Sequence, residues 1–133
     1  MGTVGDDPFG RDALAGFSEE NLNCKHVRIE SNVPTGVALI LVDRSGQNLI
    51  SVASGANARL SPADLEALPE QVWRQARVFL ACLESPLDTI ECGLLRARRA
   101  GLTTILNPAP APAGGLSEEL LSLVDVLTPN ASE

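Results

Sequence analysis

The chain has no tyrosine, one histidine, one tryptophan and three phenylalanines among its 133 residues. With His26 as the only imidazole, no histidine-paired catalytic dyad is available, and a zinc site built on it alone is not expected. Cysteine is equally sparse. Cys24, Cys82 and Cys92 are odd in number and have no C-x-x-C spacing, so they are expected as free, buried thiols of a reducing cytoplasm. Basic residues are few: 10 Lys and Arg stand against 17 Asp and Glu, a net charge of −7. That balance disfavours nucleic acid, which needs clustered cations, and gives no basic surface for an anionic lipid. No apolar run approaches the roughly 20 residues of a membrane span. The start, Met1-Gly2-Thr3-Val4-Gly5-Asp6-Asp7, has neither the basic residues nor the apolar core of a signal peptide.

The pattern that is present is that of one α/β domain. Met1–Val4 reads as the stub of a strand, and Gly5-Asp6-Asp7-Pro8 leads into a helix with Ala13, Leu14 and Phe17 as its apolar stripe. Asn21–Asn23 ends that helix, and His26–Glu30 reads as a strand. Two apolar runs follow, Val37–Val42 and Leu49–Ala53, joined by Asp43-Arg44-Ser45-Gly46, whose glycine suits a hairpin turn.

Strand and helix then alternate. Ser61-Pro62-Ala63-Asp64 sets a hydroxyl at N-cap, proline at N1 and a carboxylate at N3. Leu65, Leu68 and Val72 recur at helical spacing, and Pro69 should split this stretch in two. Arg77–Leu83 suits a buried strand. Ser85-Pro86 repeats the helix start, and Leu87, Ile90, Leu94 and Ala97 form one face of the next helix. Asp88 and Glu91 lie near its positive end, Arg96, Arg98 and Arg99 near its negative end, and Gly101 stops it. Thr103–Leu106 is a short β-branched strand. A proline-rich loop, a brief helix capped by Ser117, and a strand at Val124–Thr128 complete the chain.

A β-α-β-α-β succession over about residues 61–130 favours a parallel sheet. Open parallel sheets bind ligands beyond the carboxyl ends of their strands. Glu84, Asn107 and Asn130 each follow an apolar strand, so all three are expected to face one crevice. Spacing alone locates this site and leaves its ligand open.

Six segments together resemble the PfkB family of carbohydrate kinases, and within it the ribokinases. They are Gly5-Asp6-Asp7-Pro8-Phe9-Gly10, Thr35-Gly36-Val37-Ala38-Leu39-Ile40, Ser54-Gly55-Ala56-Asn57, Leu83-Glu84-Ser85-Pro86-Leu87, Asn107-Pro108-Ala109-Pro110-Ala111 and Thr128-Pro129-Asn130. They run in the family's order with similar gaps and cover nearly the whole chain. The resemblance implies a ribokinase-like fold, a parallel sheet flanked by helices with a small β lid, here incomplete. The lid strands fall at about residues 35–54.

It further implies that Ala38 and Ile40, alternate residues of the first lid strand, touch a sugar; alternation in a purely structural strand would give the same pattern. Glu84 is implied as the main substrate contact, since a carboxylate accepts hydrogen bonds from neighbouring hydroxyls. Its place before a helix N-terminus, where negative charge is favoured, gives a structural alternative. Asn130-Ala131-Ser132-Glu133 resembles the family's N-x-x-E motif, which implies Asn130 beside nucleotide phosphates and Glu133 organising Mg²⁺ through water and phosphate. The bland reading is a turn asparagine and a terminal acid. Asn107 either lines the nucleotide side of the crevice or shapes the turn before Pro108.

In the family the base is an aspartate of a G-A-G-D motif, and a G-G-K-x-x-N segment also binds sugar. Neither motif occurs in this chain, and Gly114-Gly115 is misplaced and lacks the lysine. The chain ends at Glu133, where relatives continue. The expectation is therefore a span of an ATP- and Mg²⁺-dependent enzyme that phosphorylates ribose or a related sugar at a primary hydroxyl, inactive by itself. Two other readings stay open: a non-catalytic sugar- or nucleotide-binding module, and a fragment that oligomerises, as a homodimer paired through the lid strands.

Overall fold

A computed structural model describes residues 1–130. The chain divides into two compact units, Met1–Arg59 and a second beginning at Leu60.

In the first unit, strand β1 (Gly2–Gly5) pairs in parallel with β2 (Val27–Glu30), Gly2 facing Val27. Helix α1 (Pro8–Glu19) connects them. It starts at Pro8 because Asp7, extended at φ −138°, accepts the Gly10 N–H on its side chain, while Pro8 brings a φ already suited to the first turn. The hairpin of β3 (Val37–Val42) and β4 (Asn48–Ala53) is antiparallel, with Val37 facing Ala53 and Val42 facing Asn48. Asp43 organises its tip: Oδ1 accepts from the Ser45 and Gln47 N–H groups at 2.8 and 3.0 Å. A 3₁₀ turn, Gly55–Arg59, follows. Burial here is thin. Val4 and Ala56 are covered, but the expected stripe on α1 is half-exposed at Ala13 and Leu14 and open at Phe17.

The second unit is the alternating stretch. Helices α2 (Pro62–Glu66) and α3 (Glu70–Gln75) are two pieces with Pro69 between them. The Ser61 N–H donates to Asp64 Oδ2 at 2.9 Å, closing the expected capping arrangement. Then come β5 (Val78–Cys82), α4 (Leu87–Arg99), β6 (Thr103–Asn107), α5 (Glu118–Leu121) and β7 (Val126–Leu127). The sheet order is β5-β6-β7, all parallel. One side of α4 packs onto it: Ile90 and Leu94 meet Ala81, Leu106 and Leu120, while Ala97 joins Leu65, Leu68, Trp73 and Leu102. Phe79 borders both groups. Leu94 and Leu106 are wholly buried, each contributing about 1.5–3 kcal/mol of transfer free energy.

Four details differ from the sequence reading. Helix α4 begins at Leu87 with Pro86 as its cap, at ψ 137°, and not with Ser85 as the cap. Proline's fixed φ serves both positions, so ψ decides. Strand β7 is shorter than expected: the Val124 N–H still donates to Leu121 O, and Asp125 is taken up by Thr104. β5 is not buried on both faces, since Leu80 is 70% exposed while Ala81 is covered. The cysteines carry no disulfide, yet none is fully buried, and Cys82 is exposed at the end of β5.

Candidate functional site

Strand register brings the predicted trio to one edge of the sheet. Cys82 faces Asn107, so β5 and β6 end level. Leu106 faces Leu127, and the Thr128 N–H donates to Leu106 O at 3.0 Å, carrying the ladder one residue further. Asn107 therefore closes the central strand. Glu84 lies two residues beyond Cys82 on one flank, and Asn130 two beyond Thr128 on the other. Glu84 is half-buried, whereas Asn107 and Asn130 are exposed. The Glu84 carboxylate has no hydrogen-bond or ion-pair partner among the described residues. Its charge faces no competing protein donor there, and the start of α4 is close in sequence.

The loop after β6 is built around Asn107. Pro108, which is buried, has no N–H, so the first donor beyond Asn107 is that of Ala109, and it reaches Asn107 Oδ1 at 3.1 Å. The turn-shaping alternative for Asn107 is thus present. Its Nδ2 has no partner among the described residues. Ala109 O in turn accepts the Leu83 N–H at 2.9 Å.

At the opposite end of the strands, Thr104 and Asp125 fix β7 against β6. The Thr104 N–H donates to Asp125 Oδ2 at 2.8 Å, Thr104 Oγ1 donates to Leu123 O at 2.6 Å, and the Asp125 N–H donates to Thr104 Oγ1 at 3.0 Å. Arg98 adds an ion pair to Asp125 at 2.6 Å. The Thr104 N–H, then its hydroxyl, whose one proton is shared between Leu123 O and Asp125 Oδ2 at 3.0 Å, hold the Asp125 carboxyl below its ordinary range, with a smaller contribution from Arg98.

Ala38 and Ile40 lie in the first unit, on one face of the hairpin, opposite Val52 and Ile50. Both are exposed. Glu133 lies outside the described residues. Among the described residues no three His, Cys, Asp or Glu side chains are grouped to hold a metal ion, and no helix is long and apolar enough to cross a membrane.

A polar junction in the first unit has no counterpart in the sequence reading. Asp7 Oδ1 accepts from Thr35 Oγ1 at 2.7 Å as well as from Gly10, and Oδ2 accepts the Thr35 N–H at 2.7 Å. The Gly5 N–H donates to Thr35 Oγ1 at 2.9 Å. The Thr35 hydroxyl first, then the Thr35 and Gly10 N–H groups, draw the Asp7 carboxyl below its ordinary value against the opposing effect of desolvation. Close backbone approach completes the junction. A Cβ on Gly36 would sit 2.7 Å from Ser54 O, and Gly55, at φ +50°, lets the Ala56 N–H reach Pro34 O at 2.8 Å. Three of the six resembling segments therefore meet here. Their glycines and short polar side chains are a signal of close packing, but not of which residue each pairs with.

Known proteins share this fold. The pfkB family carbohydrate kinase profile matches residues 1–133. Ribokinase of Haemophilus influenzae is 38% identical over 130 residues, covering 98% of this chain and 42% of the relative. Among solved structures, ribokinase from Giardia lamblia superposes with a TM-score of 0.85 at 33% identity, covering 99% of this chain and 41% of that one. Ribokinase of Arabidopsis thaliana, complexed with ribose and ATP, superposes at 0.76 with 28% identity over 99% of this chain and 43% of that one. The chain spans about two fifths of the length of these relatives.

Proposed function

The chain belongs to the pfkB family of carbohydrate kinases, and from that premise we propose that it is the sugar-holding span of an enzyme that phosphorylates ribose, or a related sugar, at a primary hydroxyl with ATP. The observation that carries this reading is the half-buried Glu84, without a partner among the described residues, at the carboxyl edge of the parallel sheet. An ionised carboxylate has acceptor sites only, and two adjacent sugar hydroxyls can satisfy both of its oxygens. Ala38 and Ile40 are proposed to touch the sugar, as the family resemblance implies. Asn130 and the free Nδ2 of Asn107 would donate to the nucleotide's phosphates at the same edge.

The exposed amides suit a nucleotide, which needs donors. Mg²⁺ would arrive with the phosphates and neutralise their charge. Glu133 is proposed to act on it through water. The catalytic base is assigned to no residue of this chain, whose role is binding and orientation. A cytoplasmic setting belongs to the same proposal, on the strength of three cysteines without a disulfide. Pairing of two copies through the hairpin is also proposed, because Leu39, Leu41, Leu49 and Ile50 are all at least half-exposed.

Calorimetry with ribose and with ATP on the 133-residue chain, beside a coupled ATP assay, tests this reading. Binding of both ligands without turnover above blank is expected. Failure to bind ribose would overturn the substrate assignment, and turnover would overturn the assignment of a purely binding role.

A further inference from the structure

We infer that Asn107 is a positioning residue for Glu84, acting on the sugar side of the site across two hydrogen bonds; this rests on the substrate reading of Glu84. Three observations carry it. First, Asn107 Oδ1 is already committed, at 3.1 Å, to the Ala109 N–H. Second, the peptide unit on the other side of Ala109 Cα holds the turn after β5, since Ala109 O accepts the Leu83 N–H at 2.9 Å. Third, Leu83 immediately precedes Glu84, whose own side chain has no partner among the described residues to fix it.

The chain of contacts therefore runs from Asn107 through Ala109 to Leu83, and ends on the backbone that carries the carboxylate. Pro108 is what makes the link specific. Having no N–H, it cannot compete for Asn107 Oδ1, and being buried it leaves the loop little room to shift. Leu83 packs against the core of Ala81, Ile90, Leu94, Leu106 and Leu120, so the same turn is held from beneath. A carboxylate held at a fixed height can meet two hydroxyls at once, and a drifting one loses part of that bond energy.

The two functional groups of the asparagine amide separate this role from the nucleotide role. Oδ1 serves the turn, and Nδ2 is the group left to meet phosphate. Asn107→Asp keeps an acceptor that supports the same turn, removes the donor and adds a negative charge. Asn107→Ala removes both.

The test is amide hydrogen exchange of the 133-residue chain, followed residue by residue, with ribose and ATP titrations of each variant. In Asn107→Ala the Ala109 and Leu83 amides should exchange about fivefold faster or more, and the ribose Kd should rise about fivefold, the scale of one lost hydrogen bond. In Asn107→Asp both exchange rates and the ribose Kd should return to within about twofold of wild type, while ATP binding weakens. Unchanged Leu83 exchange in Asn107→Ala would overturn the inference. So would failure of Asn107→Asp to restore it. Exchange needs no ligand, so a wild-type chain that binds no ribose would remove the substrate reading alone, and the Leu83 amide would still decide the coupling.

Discussion

The two units dispose of their apolar residues in different ways. From Leu60 onward they converge: Leu94 and Ala97 on one amphipathic helix, and Leu106 on the strand it covers, reach zero exposure. In the first unit the hairpin leaves Leu41 67% and Leu49 69% exposed, and order comes from Asp7, Thr35 and close-packed glycines. One half is held by burial and the other by a polar junction.

Breaking the buried half should have the largest effect. Leu94→Ala is expected to cost about 3–5 kcal/mol, the transfer term plus a cavity that α4 cannot close. Urea titration followed by Trp73 fluorescence measures it, since the only tryptophan lies in the neighbouring cluster, which Phe79 joins to that of Leu94.

Gly93→Ala sharpens the same half with the opposite sign to helix propensity. Alanine normally stabilises an exposed helix interior over glycine by about 1 kcal/mol. Here a Cβ would overlap the Phe79 ring, so a loss of about 1–3 kcal/mol is expected in the same titration. A gain would show that the helix and strand can separate freely.

The polar half should respond to Asp7→Ala with a fall in Tm of about 5 °C, the scale of a lost helix cap, and with faster exchange at the Gly10 and Thr35 amides. Acid should act through the same groups. The Asp7 and Asp125 carboxyls titrate below the ordinary 3.8 when folded. Their stabilisation is thus complete above the unfolded value and lost as pH falls through the folded one. Melts should be flat from pH 7 to about 5 and fall below about 4. Asp7→Asn should flatten part of that fall.

The smallest effect on stability is expected on the hairpin. Leu41→Thr, at an exposed β position, should change unfolding free energy by no more than about 0.5 kcal/mol. Sedimentation should nevertheless show weaker self-association than wild type. Equal masses would argue against pairing through this hairpin.

Sequence makes the second unit legible because capped helices alternate with short apolar strands there, and that order leaves a parallel sheet as the simplest solution. It places Glu84, Asn107 and Asn130 at one edge for the same reason. Periodicity cannot say which face of β5 a helix covers, so the exposure of Leu80 is not legible in it. Nor can it show that Asp7 meets Thr35, because 28 residues separate them and only the fold brings them together. The Ala109–Leu83 bond is hidden likewise, as a contact between backbone groups that any residues could make.

Ribose affinity of Glu84→Gln, set beside the wild-type chain, tests the account most directly. Replacing a charged acceptor by a neutral amide should raise the Kd by about tenfold or more, with the Trp73 unfolding midpoint unchanged. Equal affinity in the two proteins would contradict the assignment of Glu84 to the sugar.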